Sequence, residues 1–491
     1  MKTNFWVGTS ALLSIVLLPV APVMADDAQL ITLVNELQKQ MVQMQKTIDQ
    51  QSDKIRNIEK REPQIQVAGP SSAEAAKPVP MSDYDFNQML DTATGGAQKW
   101  LKDLKFSGDL RLRYDGFNYG SGSPSVSDDR NRFRYRLRYG FEKTFNQDMK
   151  AGFEMASGEY PTIAGTSLGS QAVHADPTAA NTSFDNNFNF KPIYIERAYG
   201  TYTPHFLAKK GILNKTEITG GKMNNPFEKG STDMIWDRDV KPEGVYEKAD
   251  FKLLDTPDLK FNSYFTAGQF VLDEDASTGG DANLFAYQLG LNPVIYTSLF
   301  ERPIDILQAF SYYGYPGYAR KSNFIIGGTS LARGNANIDN NPAELDAGQF
   351  NVFESYSEVA IYPQGLPVRF HMDLAGNPSA DPQDPSITGG SENFAAGFGV
   401  KLGSVVKKGD WELGYQYKRI PANAVVGAFT DSDFGDGHAD KAGSVIKAAY
   451  AITDAITLNG TMFFVHNLNA GTAGVIDQNQ DRFQVDLSWK F

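Results

Sequence analysis

The stretch Arg482-Phe483-Gln484-Val485-Asp486-Leu487-Ser488-Trp489-Lys490-Phe491 decides the fold. Every odd position is apolar or aromatic and every even position is polar or charged. A period of two places the two sets on opposite faces of a strand. One face meets something greasy and the other something wet.

Working back through the chain, the same alternation recurs. In Phe106–Asp115, Leu110, Leu112 and Tyr114 oppose Asp109, Arg111, Arg113 and Asp115. In the next segment Arg130, Arg132, Arg134, Arg136 and Arg138 alternate with Phe133, Tyr135, Leu137 and Tyr139. Five arginines on one strand face are very costly in a dry core. They are tolerable where that face lines water and the aromatic face meets lipid; a soluble strand with a solvated outer face is the alternative. Similar segments are expected at Met149–Ser157, Ile193–Tyr202, Glu217–Phe227, Gly244–Leu253, Phe261–Val271, Leu284–Leu291 and Ile304–Tyr313. They continue at Phe350–Tyr362, Leu366–Leu374, Phe394–Leu402, Trp411–Ile420, Val445–Ile452 and Ile456–Val465. Short turns such as Pro363-Gln364-Gly365 and Thr453-Asp454 alternate with long loops such as Tyr160–Lys191, Gly314–Gly348 and Pro421–Ala442. The expectation is an all-β transmembrane barrel of about 16 antiparallel strands over residues 105–491, with both ends on the periplasmic side.

The other end of the chain gives the compartment. Lys2, the apolar run from Phe5 to Val20 and Val23-Met24-Ala25 look like a secretory signal peptide over residues 1–25. An uncleaved anchor is the alternative, but the run is shorter than the roughly 20 residues a spanning helix needs. From 26 to 61 a heptad repeat places Val34, Met41, Ile48 and Ile55 at a, and Leu30, Leu37, Met44, Gln51 and Ile58 at d. This predicts an N-terminal α-helical coiled coil in the periplasm, about 50 Å long. A lone amphipathic helix lying on another surface is the alternative. Isoleucine at both a and d favours three strands, hence a homotrimer. Residues 62–104, with Pro63, Gly69, Pro70, Pro78 and Pro80, read as a linker holding a possible short helix.

Composition excludes several classes. There is no cysteine, so disulfide frameworks and thiolate metal sites are out. A net charge of −12 argues against nucleic-acid binding. The five histidines, His174, His205, His371, His438 and His466, show no metal or triad spacing, so no cofactor, metal or enzyme activity is expected. An outer-membrane hydrolase needs a Ser/His pair at the lipid face, and neither His371 nor His466 has an obvious partner.

Several phrases resemble the putative-porin family of Gram-negative bacteria. They are Gly220-Gly221-Lys222-Met223-Asn224-Asn225-Pro226-Phe227, Trp236-Asp237-Arg238-Asp239-Val240-Lys241-Pro242-Glu243-Gly244, Asp410-Trp411-Glu412-Leu413-Gly414-Tyr415 and Asp431-Ser432-Asp433-Phe434-Gly435. The order of signal, short coiled coil, linker and barrel is similar too. The resemblance implies a passive diffusion channel in the outer membrane. In sixteen-stranded general porins the third long loop narrows the lumen, which puts the constriction at Glu228–Lys241, with Asp233, Asp237, Arg238 and Asp239 as its charged residues. These acids are expected to face the pore-lining Arg111, Arg113, Arg130, Arg132, Arg134, Arg136 and Arg138, setting up a transverse field. A structural salt-bridged loop is the alternative.

Asp431, Asp433 and Asp436 read as an outer loop, either solvated or holding Ca²⁺. The functional expectation is a water-filled porin for passive diffusion of small hydrophilic solutes and ions. An anion (phosphate-like) channel built on the arginines is one alternative. The other is a structural tether to the cell wall or a periplasmic partner through the coiled coil.

Overall fold

The computed structural model describes residues 103–119, 130–159, 177–188, 190–208, 211–274, 281–318, 325–326, 329–330, 335, 350–380, 392–469 and 479–491. The expected signal peptide, coiled coil and nearly all of the linker lie outside the described residues.

Polar and apolar residues alternate along strands β1 (Leu104–Tyr119), β2 (Arg130–Thr144), β3 (Met149–Ser157), β4 (Ile193–Tyr202), β5 (Leu213–Lys222) and β6 (Glu243–Asp255). There follow β7 (Leu259–Asp273), β8 (Ala282–Ile295), β9 (Ile304–Gly314), β10 (Asn351–Ile361) and β11 (Val368–Gly376). The last five are β12 (Phe394–Gly403), β13 (Trp411–Ile420), β14 (Lys441–Ala451), β15 (Ile456–Asn467) and β16 (Gln480–Lys490). Each pairs antiparallel with the next, and β16 closes on β1 in the register Arg113↔Asp486. Phe491 completes the seam: Gly108 N donates to its carbonyl at 2.8 Å, and its own N–H donates to Gly108 O at 3.1 Å. Closure leaves no sheet edge, which a strand protein in lipid requires. A two-residue bridge, Thr182–Ser183, extends the sheet against β2 above the short β3.

Burial is inverted relative to a soluble protein. On β16, Arg482, Gln484 and Asp486 are buried, while Phe483 between them is 40% exposed. The same holds around the wall, where Phe133, Phe353, Phe398, Trp411 and Phe464 are exposed. A continuous apolar outer surface over a polar interior matches a lipid-facing band around a lumen.

Most expected strands stand within a few residues of their expected bounds. The fifth does not. Glu217–Phe227 was the expected strand, but β5 ends at Lys222. Gly221 there has φ +119, and a Cβ on it would meet Ala198 O at 2.3 Å. Asn225 Oδ1 then accepts from Phe227 N at 3.0 Å, a local turn that carries Phe227 out of the wall and into the interior. A second bend, the bulge at Glu154/Met155, lets consecutive Glu196 and Arg197 on β4 both reach lumenal partners.

Candidate functional site: the lumen and its two inward loops

The antiparallel register of β1 and β2 sets Arg111 opposite Arg136 and Arg113 opposite Arg134, flanked by Asp109↔Arg138 and Asp115↔Arg132. Like charges directly opposed destabilise a sheet, so this array needs carboxylates. It has them. Arg113 forks onto Asp486 at 2.7 and 2.8 Å and reaches Asp433 at 2.8 Å. Arg132 meets Asp115 at 2.9 Å, Arg134 meets Glu159 at 3.2 Å, and Arg136 meets Asp109 at 3.0 Å. Arg138 contacts Glu196 at 2.5 Å and Asp239 at 2.9 Å. Arg111 lies 3.9 Å from Asp486 and donates to Asn181 Oδ1 at 2.5 Å. Arg482, from β16, bonds Asp115 and Asp433, each at 2.8 Å. Arg130 lies at the exposed start of β2.

The loop between β5 and β6, residues 223–242, folds into the lumen. Gln288 on β8 donates to Phe227 O at 3.0 Å and to Gly230 O at 3.2 Å. Thr232 donates to Asp373 on β11 from its N–H at 3.1 Å and its hydroxyl at 2.5 Å. Gly230 sits where a Cβ would come within 2.4 Å of Ala309 Cβ, so only glycine seats the loop there.

The expected constriction residues go to different places. Asp239 meets the arginines, 2.9 Å from Arg138 and 3.6 Å from Arg136. Asp233 faces the other wall, with Lys418 at 3.1 Å and Lys447 at 3.5 Å. Asp237 accepts from the backbone N–H groups of Asp239 and Ser432, both at 2.7 Å. Arg238 is exposed.

Ser432 belongs to a second inward loop that the sequence reading placed outside. Residues 421–440 join β13 to β14, and most are buried, with Asp431, Asp433 and Asp436 half-buried. The expectation of a solvated or Ca²⁺-holding outer loop is therefore corrected. Asp433 is taken by Arg113 and Arg482, Asp431 by Lys418 at 2.9 Å, and Asp436 by Gln480 at 2.7 Å. Among the described residues no group of acidic and histidine side chains is arranged to hold a metal ion. The run Ala422-Asn423-Ala424-Val425-Val426-Gly427-Ala428-Phe429 carried the missed signal, because small apolar residues do not suit a solvated loop.

The two loops meet in an apolar core. Trp236 stacks on Phe429 at 5.5 Å and packs edge-on against Tyr313 at 5.4 Å. Phe227, Met234, Phe270, Tyr315, Phe350 and Val426 complete it. Buried charges in the loops respond to their surroundings. Burial pushes Asp433 up, but Arg113 and Arg482 outweigh it and hold the carboxyl well below the ordinary range. The same opposition, with Lys418 and Lys447 winning, holds Asp233 low. Asp237, buried beside Asp239 and Asp431, is pushed well above the usual value.

The family model described as "Putative porin" matches residues 123–344 and 355–491, well over half of the sequence. The chain belongs to this porin family. It is accordingly an outer-membrane channel protein of the porin class. No curated protein is similar enough to match it. Among solved structures, this porin is similar to OprB of Pseudomonas putida at high pH, with 10% identity and a TM-score of 0.46 over 82% of this chain and 97% of that one. It is also similar to OmpF of Salmonella typhi in complex with daunomycin, with 10% identity and a TM-score of 0.41 over 79% of this chain and 97% of that one. A third is a triple mutant of the Rhodopseudomonas blastica porin, at 10% identity and TM-score 0.34, over 79% of this chain and 100% of that one.

Proposed function

We propose that the protein is a passive, water-filled path for small hydrophilic solutes and ions, narrowed at mid-barrel by the 223–242 loop. The supporting observation is the division of this loop. Its Met223, Phe227, Met234 and Trp236 are buried in the apolar core, while Glu228, Lys229 and Arg238 stay exposed to water. A polar strip between the loop and the wall is what a diffusion path needs.

The arginines of β1 and β2 work here as structure rather than as an anion relay. Six of them, all but the exposed Arg130, together with Arg482 make seven guanidiniums that meet the seven carboxylates of Asp109, Asp115, Glu159, Glu196, Asp239, Asp433 and Asp486. Matched charges leave little net field along the path. Homotrimerisation, and a cell-wall or periplasmic contact through residues 26–61, belong to the same reading and are supported by the heptad pattern and its isoleucines.

Swelling of proteoliposomes in uncharged sugars of graded size tests the path. Uptake that falls steadily with size supports diffusion. No uptake of even the smallest sugar by folded protein removes it.

A further inference from the structure

A hollow of about 330 Å³ lies in the wall made by β1 to β4. It sits at the end of the barrel where a short turn joins β2 to β3. The register builds it. Gly140 stands between Ser107 and Glu154, and Gly152 stands between Glu142 and Tyr199, so two positions on adjacent strands carry no side chain. A Cβ on Gly152 would strike the Tyr199 ring at 2.5 Å; without one, the ring settles against the wall. Lys105, Ser107, Glu142 and Glu154 alternate with Phe106, Phe141 and Phe153 of the outer face, which points them into the lumen. The volume is at the small end of the range for small-molecule sites.

The charges that line the hollow balance, Glu142 and Glu154 against Lys105 and Arg197. They are held in place without being used up. Glu142 Oε2 accepts from Tyr199 Oη at 2.9 Å and from Lys150 Nζ at 3.2 Å. Glu154 Oε2 accepts from Arg197 Nε at 2.5 Å. The other oxygen of each carboxylate, both Nη groups of Arg197 and Lys105 Nζ make no hydrogen bond to the described residues. An anion in this hollow meets two carboxylates, and a cation meets a guanidinium and an ammonium. Either gives up hydration for a mixed return. A neutral solute with several hydroxyls does better. It donates to the free carboxylate oxygens and accepts from Arg197 and Lys105, and hydrogen bonds to charged groups are the stronger kind.

We propose that this hollow is a docking site for a neutral, polyhydroxylated solute of monosaccharide size, held through Glu142, Glu154 and Arg197 on its way along the lumen. The inference rests on the channel reading above and adds a solute class to it.

The test is the ion current through the full-length protein in planar bilayers, titrated with D-glucose. The current should fall saturably with glucose. Triethylene glycol, a solute of similar size with hydroxyls only at its ends, should lower it only as far as it lowers the conductivity of the solution. The double variant E154Q/R197Q removes one charge of each sign and should raise the half-blocking glucose concentration about tenfold. K105Q, at an exposed position, should raise it too. K401Q/E412Q is the comparison, because it removes another matched pair of the lumenal wall, 2.6 Å apart, and should leave the half-blocking concentration unchanged. A response to glucose that does not saturate, equal block by triethylene glycol, or a half-blocking concentration unmoved in both E154Q/R197Q and K105Q would overturn the site and leave the channel standing. No current from folded barrels would remove the channel reading, and this inference with it.

Discussion

Arg113 on the first strand places its Nη1 2.8 Å from Asp433 Oδ2, on a loop 320 residues later in the chain. The same guanidinium forks onto Asp486 of the last strand. One side chain thus ties the barrel seam to the second inward loop. Arg113 is 4% exposed at its side chain, so its loss leaves Asp486 facing the more distant Arg111 at 3.9 Å, and Asp433 facing Arg482 without its second cation, in a poorly hydrated site. Breaking a buried pair from one side costs about 3–5 kcal/mol. R113A should lower the thermal unfolding temperature in detergent by many degrees, whereas R130A, at an exposed position, should change stability by no more than about 0.5 kcal/mol. Equal effects would contradict this assignment.

Acid should release the second loop late. Burial favours the protonated Asp433, but Arg113 and Arg482 more than offset it, so the folded value lies well below the unfolded one. A depressed carboxylate contributes stability that is fully present above its unfolded value, about 3.9, and is lost as pH falls through the lower folded value. The barrel should keep this contribution from neutral pH down to about 4 and lose it below. D433N should be less stable at neutral pH and show a flatter decline in acid. An unchanged acid limb in thermal scans from neutral to strongly acid buffer would count against the pairing.

Trp236 holds the two loops together through its stack on Phe429 and its edge contact with Tyr313. W236A removes a buried indole, which costs about 3–5 kcal/mol where the site does not collapse. The expected channel phenotype is a noisier, wider pore, seen as larger and more variable single-channel current. A current trace indistinguishable from the native protein would show that the loops do not depend on this contact.

Gly230 fits the loop to the wall where any Cβ would strike Ala309 Cβ at 2.4 Å and Tyr264 Oη at 2.8 Å. G230L should push the loop off β9 and toward the open strip, narrowing the path. Sugar permeation should fall most for the larger sugars while the barrel still resists detergent unfolding. Unaltered size dependence would place the narrowest point elsewhere.

The barrel wall was legible because lipid and water impose a period of two on every strand. The expected bounds of Met149–Ser157, Ile193–Tyr202 and Trp411–Ile420 coincide with β3, β4 and β13. The interior was less so. Lys418 reads as one more polar residue in an alternating strand, yet it is fully buried between Asp233 and Asp431. Nothing adjacent in sequence announces those partners, because one comes from each inward loop. The acids of the first loop stand out in the sequence, but their division between two walls and a backbone clamp follows from the path of the loop across the lumen. The second loop looked like an outer one because it sits between two strands at the end of the barrel that carries the long loops. Its run of small apolar residues argued the other way.

Single-channel recording in planar bilayers addresses the central claim most directly. The account predicts ohmic current through the refolded full-length protein, in steps of three where the proposed trimer inserts whole. A correctly closed, detergent-resistant barrel that passes no current at any voltage would contradict it.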